Sequence, residues 1–137
     1  MIIGCNCFGI GKRTLIDRSC SKILVSMAIS EVYSTEEFSK VLDNAGNKLV
    51  VIDYSATWCG PCKMMMPKYE ALSTIYNADA IFLKCVGDLS AEAQQLMKKE
   101  GVRSLPSFHF WKNGEKIDVV TGARIDDVEQ AIRSGIK

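Results

Sequence analysis

A short β-branched run that leads into a C-x-x-C and continues as a helical pattern constrains this chain more than any other stretch. Leu49-Val50-Val51-Ile52 is the kind of apolar segment that suits a strand buried on both faces. It passes through Asp53-Tyr54-Ser55-Ala56-Thr57-Trp58 into Cys59-Gly60-Pro61-Cys62. Beyond it, Met65, Tyr69, Leu72 and Tyr76 are spaced to share one helical face. The two cysteines therefore stand where a strand gives way to a helix. Unpaired N–H groups and the positive dipole end of a helix favour an anion, so a thiol placed there ionises more readily. The thiolate is the attacking species in disulfide exchange. Two intervening residues let the second thiol reach back and close a small disulfide ring. Gly60 lends the turn freedom, and Pro61 suits a first helical turn.

Two plainer readings of the pair stand beside exchange chemistry: an inert disulfide, and half of a zinc site. Zinc needs two more ligands at suitable spacing. Cys85, His109 and the early thiols Cys5, Cys7 and Cys20 are what the chain offers, and none shows such spacing. Three of six cysteines fall in the first 20 residues and two are near neighbours. That distribution fits a reducing compartment with one working pair better than a secreted disulfide framework.

The rest of the chain reads as alternating strands and helices. Glu31-Val32-Tyr33 suits an edge strand, and Ser34 with Glu37 forms a capping box ahead of a helix carrying Phe38, Val41, Leu42 and Ala45. Gly46 stops that helix. After the cysteine helix, Ala80–Val86 is a strand, and Asp88 or Ser90 caps a third helix with Leu89, Ala93, Leu96 and Met97 apolar and Gly101 as its stop. Phe108–Trp111 is a strand, Asn113-Gly114 signals a type I′ hairpin, and Lys116–Val120 returns antiparallel. Ile125, Val128, Ile132 and Ile136 mark a last helix. The order βαβαβαββα predicts an α/β fold, a central mixed five-stranded sheet flanked by four helices.

Trp58-Cys59-Gly60-Pro61-Cys62-Lys63, with Asp53 in the apolar strand ahead of it, resembles the thioredoxin family, and the resemblance runs from about Ser30 to Lys137. It implies the thioredoxin fold and a general protein-disulfide reductase that maintains redox homeostasis. Cys59 is then the nucleophile and Cys62 the resolving thiol. Asp53 is the proton acceptor for Cys62, tuned by Lys84; a structural Asp53–Lys84 pair is the plainer alternative. Trp58, Gly60, Pro61, Leu105, Pro106, Gly122 and Ala123 become the apolar rim that receives substrate, with Pro106 in the cis form. The resemblance also implies a bend at Pro67, and Gly87 stands where an Asp is common. The segment from Asp88 to Gly101 is longer than usual, by a turn expected to lie far from the chemistry. No metal or bound cofactor is implied beyond the Cys59–Cys62 disulfide. Implied partners are a thioredoxin reductase and clients such as peroxiredoxin, methionine sulfoxide reductase or ribonucleotide reductase. A disulfide isomerase or oxidase is the chemical alternative, and a redox-independent binding scaffold on the same fold is another.

Charge and hydropathy narrow the setting. Residues 1–30 carry four basic residues against one acidic, a net of +3, while the remainder has 13 basic and 15 acidic, a net of −2. The mildly acidic part offers no basic stripe for nucleic acid, and no run approaches the roughly 20 apolar residues of a membrane span. A soluble monomer is expected. Residues 1–29 are read as an extension: a transit peptide, a disordered segment, or an upstream-start artefact ahead of Met27. Residues 30–137 form the domain. A cytoplasmic address is expected, with a mitochondrion or plastid as the alternative if residues 1–29 are a transit peptide. His109 and Cys85 are read as core residues, and Met64-Met65-Met66 as core filling with one methionine exposed.

Overall fold

The seven residues of β2 (Leu49–Ser55) are all buried, as a strand covered on both faces must be. The computed structural model describes residues 28–137; Cys5, Cys7, Cys20 and residues 1–27 of the expected N-terminal extension lie outside the described residues. Nine elements follow in chain order: β1 (Ile29–Glu31), α1 (Thr35–Ala45), β2, α2 (Gly60–Tyr76), β3 (Ala80–Val86), α3 (Ala91–Lys99), β4 (Ser107–Lys112), β5 (Glu115–Thr121) and α4 (Ile125–Gly135). The strands form one sheet in the order β1-β3-β2-β4-β5. β3 runs parallel to both β1 and β2, whereas β4 is antiparallel to β2 and to β5.

Pleating sends alternate residues of β2 to opposite faces. Leu49 and Val51 pack with Met65, Tyr69 and Leu72 of α2 and with Val128 and Ile132 of α4. Val50, Ile52 and Tyr54 pack instead with Phe38 of α1 and with Ala93 and Leu96 of α3. Asp53, in phase with Val51, therefore lies on the α2 face of the sheet. Tyr69 fastens α2 to that face: its hydroxyl donates to the carbonyl oxygens of Val51 at 3.1 Å and Leu83 at 2.7 Å.

Caps and turns form where the sequence signals them, with local differences. Ser34 Oγ accepts from Glu37 N at 3.2 Å, but the Glu37 carboxylate accepts from Tyr33 N at 2.7 Å rather than from Ser34 N. That bond draws Tyr33 into the helix entry, and the strand expected at Glu31–Tyr33 forms two residues earlier, at Ile29–Glu31. Ser90 caps α3 by accepting from Ala93 N, so Leu89 lies ahead of the helix and is exposed. Asn113 (φ 54°) and Gly114 (φ 79°) both adopt the left-handed conformation that the type I′ hairpin requires. The methionine run divides as read: Met65 is buried, Met66 half-buried and Met64 exposed. No described helix is long and apolar enough to cross a membrane.

Candidate active site

The site lies at the carboxyl end of β2, where the chain turns into α2. Cys59 is the N-cap of that helix, and its Sγ accepts from Cys62 N at 3.2 Å. A sulfur acceptor at an N-cap occupies the place where helix N–H groups favour negative charge, which supports a thiolate once the pair is reduced. Cys59 and Cys62 are joined as a disulfide across a Cα separation of 5.3 Å. In this state Cys59 is 3% exposed, packed with Ala56, Cys62 and the side chain of Leu105. Ala56 of the preceding loop and Leu105 cover it.

Three loops converge here. Leu105–Pro106 is a cis peptide bond at the entry to β4. Pro106 O accepts from Gly122 N at 2.8 Å, which ties the turn after β5, where Ala123 is exposed, to the same edge. Gly60 and Pro61 are exposed at the first turn of α2. Trp58 is 73% exposed, so it belongs to the surface around the disulfide and not to the core.

Asp53 is 1% exposed, and its Oδ1 has no hydrogen-bond partner among the described residues. Burial pushes its carboxyl up to about 7, and the Lys84 ammonium opposes that rise. Lys84 is the register partner of Asp53 across β2 and β3. Its ion pair is with Glu31 of β1, at 3.7 Å. The plainer reading, an Asp53–Lys84 ion pair, is therefore not formed; Lys84 acts on Asp53 through its field. A cleft of about 170 Å³ opens on the same sheet face, lined by Ser55, Cys62, Lys63, Met66, Lys84 and Val86 among others. Cys62 lines it and Cys59 does not. Of the two sulfur-bearing residues, Cys62 is the one on the side of the buried carboxyl.

The sequence reading missed one functional neighbour. Asp88 accepts from Thr57 N at 3.1 Å and from the Thr57 hydroxyl, which clasps the loop bearing Trp58 to the start of the β3–α3 connection. Gly87 N donates to Ser55 O at 2.9 Å beside it. The Asp88–Gly101 segment thus begins beside the loop that leads to Cys59. In the sequence Asp88 reads only as a possible helix cap, because pairing across 31 positions leaves no local signal.

His109 and Cys85 are core residues. His109 is 3% exposed and meets the Tyr54 ring edge-on, with Nδ1 unpartnered among the described residues; burial and then Lys116 hold it down at about 4. Burial pushes the Cys85 thiol up to about 11, with Asp53 adding to the rise. Among the described residues no three His, Cys, Asp or Glu side chains are grouped to hold a metal ion.

A family model described as Thioredoxin matches residues 29–134. The horse (Equus caballus) thioredoxin is 38% identical over 105 residues, covering 77% of this chain and 96% of that protein. A chloroplastic F-type thioredoxin of Brassica napus is 38% identical over 117 residues, covering 84% of this chain but only 63% of the relative. Among solved structures, that of a complex of ferredoxin:thioredoxin reductase with thioredoxin f2 contains a chain 35% identical with a TM-score of 0.73. The match covers 80% of this chain and 96% of that one.

Proposed function

The chain belongs to the thioredoxin family of thiol-disulfide oxidoreductases, and on that premise we propose that it is a general protein-disulfide reductase worked by Cys59 and Cys62. The observation that carries the proposal is the placement of this pair: Cys59 at the N-cap of α2, Cys62 beside the cleft on the face that holds Asp53. The Cys59 thiolate attacks one sulfur of a client disulfide, forming a mixed disulfide and releasing one client thiolate. Asp53, buried and near neutrality, takes the proton of Cys62. The Cys62 thiolate then attacks Cys59 Sγ, which restores the Cys59–Cys62 bond and releases the second client thiolate. Two electrons pass from the dithiol to the client. Lys84 lowers the carboxyl and keeps its ionised form accessible.

Trp58, Gly60, Pro61, Leu105, Pro106, Gly122 and Ala123 form the rim that receives the client. A reductase of the thioredoxin-reductase class returns the pair to the dithiol. The solved complex with ferredoxin:thioredoxin reductase supports a ferredoxin-linked donor. The chloroplastic relatives support a plastid address, with a transit segment that ends ahead of β1 and the catalytic domain from β1 onward.

Insulin-disulfide reduction tests the proposal, driven by dithiothreitol and then by each class of reductase. Wild type is expected to be active, and Cys59→Ser to lose the activity with every donor. In stopped-flow assays Asp53→Asn slows release of the reduced client by about tenfold or more at pH 7 and leaves formation of the mixed disulfide nearly unchanged. Complementation in vivo separates the second reading: full function of the Cys59→Ser, Cys62→Ser double variant there would sink the reductase and leave a binding scaffold.

A further inference from the structure

Three ionisable side chains stand in one row across the sheet. Glu31 of β1, Lys84 of β3 and Asp53 of β2 are register partners in parallel strands, so all three point to the α2 face. The row runs from the sheet edge inward: Glu31 is exposed, Lys84 half-buried and Asp53 buried. Adjacent strands lie about 5 Å apart, so the flexible stem of Lys84 has a carboxyl on either side of it. Only one of the two is paired with it. Glu31 Oε2 lies 3.7 Å from Lys84 Nζ, whereas Asp53 Oδ1 has no partner among the described residues.

Glu31 is itself held in place. Its other oxygen, Oε1, accepts from the Tyr33 hydroxyl. Tyr33 N in turn donates to the Glu37 carboxylate at 2.7 Å, which fixes the tyrosine at the entry to α1. Val32 N donates to Lys84 O at 2.9 Å, so β1 stays tied to β3 just past Glu31. The other ionisable groups on this face come from α2. Cys62 and Lys63 line the cleft with Lys84, and the Tyr69 hydroxyl is spent on the carbonyl oxygens of Val51 and Leu83. Lys68 and Glu70, further along α2, are exposed to solvent. Phe108, the register partner of Asp53 on β4, is apolar, as are Val128 and Ile132 of α4 on this face. Cys85, next to Lys84 in β3, packs on the opposite face. Among the described residues Glu31 is thus the carboxylate that competes with Asp53 for the Lys84 ammonium.

We propose that Glu31 is a positioning residue for the resolving step: anchored by Tyr33, it holds the Lys84 ammonium back from Asp53. This deepens the reductase reading and rests on Asp53 as the acceptor of the Cys62 proton. An ammonium free to swing across pairs with the ionised carboxyl and makes it a weaker base toward a thiol. Held on Glu31, Lys84 opposes the effect of burial through its field alone, and the carboxyl stays near neutrality. A base poised there is matched to proton transfer near neutral pH.

The test follows the Asp53 carboxyl directly, by carbon-13 NMR of the oxidised full chain labelled at its aspartate carboxyl carbons, with Asp53→Asn to assign the signal. Glu31→Gln, a change at an exposed position, is expected to lower the midpoint of that titration by about half a pH unit, the size that one partly exposed ion pair carries. Tyr33→Phe is expected to move it the same way by less. Lys84→Met is expected to raise the midpoint, and Glu31→Gln added to Lys84→Met to move it no further. In stopped-flow assays the pH profile for release of the reduced client is expected to follow the same midpoints, with formation of the mixed disulfide nearly unchanged. A midpoint that Glu31→Gln leaves in place overturns the positioning role. An equal shift with and without Lys84 also overturns it, because Glu31 then acts on Asp53 by its own charge. A carboxyl midpoint that moves as expected over an unchanged release profile overturns Asp53 as the proton acceptor, and the part of Glu31 in the resolving step with it.

Discussion

Asp53 and His109 lie on opposite faces of the sheet, both buried and each with an atom that finds no partner among the described residues. Burial favours the neutral form of each, and the consequences for stability have opposite signs. The folded chain holds the Asp53 proton up to about 7, whereas a free carboxyl releases it near 3.8. Between those values the folded state binds more protons than the unfolded, so this contribution is full below about 4 and is lost as pH rises toward 7. His109 in the folded chain accepts a proton only near 4, against 6.5 when free. Its contribution is full above about 6.5 and is lost as pH falls toward 4. The two offset one another between about 4 and 6.5. Denaturant titrations across pH should show Asp53→Asn gaining on wild type as pH rises, by up to about 4 kcal/mol above pH 7. His109→Phe, which keeps an aromatic ring beside Tyr54, should flatten the acid limb by up to about 3 kcal/mol. Parallel pH profiles for wild type and Asp53→Asn would contradict the assignment of the neutral carboxyl.

The elements are held by a few close approaches that local pattern does not reveal. Gly135 closes α4 against the start of β2, and a Cβ there would come within 2.7 Å of Leu49 Cδ1. Leu49 is buried, so it has little room to move. Replacing a helical glycine by alanine ordinarily stabilises by about 0.5–1 kcal/mol, but overpacking costs about 1–3 kcal/mol. The steric cost wins here: Gly135→Ala is expected to lower the unfolding free energy by about 1–2 kcal/mol, read from a urea midpoint at unchanged slope. A second close approach sets the Met97 thioether against Gly87. The helices themselves were legible: Ser34, Ser90 and Gly46 cap or stop them as the side-chain chemistry requires. β1 was misplaced by two residues, because the competition of Glu37 for Tyr33 N is a contact between a strand end and a helix side chain.

At the scale of the molecule, β2 is the strand on which everything rests. It is paired on both sides and covered on both faces, while β1 and β5 are the edges. Opening free energies rise toward such a centre and fall at edges. Native-state amide hydrogen exchange should therefore be slowest in β2 and its partners β3 and β4, and fastest in β1 and the exposed strand β5. Equal protection across the five strands would contradict this order. The Cys59–Cys62 pair lies buried where this centre meets the loops, with Trp58 exposed beside it.

The sequence by itself determined the order of elements, the hairpin at Asn113-Gly114, the cysteine pair at a helix start and the buried carboxyl behind it. These follow from local rules: periodicity, capping chemistry, turn dihedrals and the spacing of two thiols along one helical turn. Tertiary structure decided the rest. Lys84 pairs with Glu31 instead of Asp53, Asp88 clasps Thr57, and Met97 packs against Gly87. Each of these joins separate segments of the chain, and such contacts arise only when the sheet has set which strands are neighbours and which face each side chain takes.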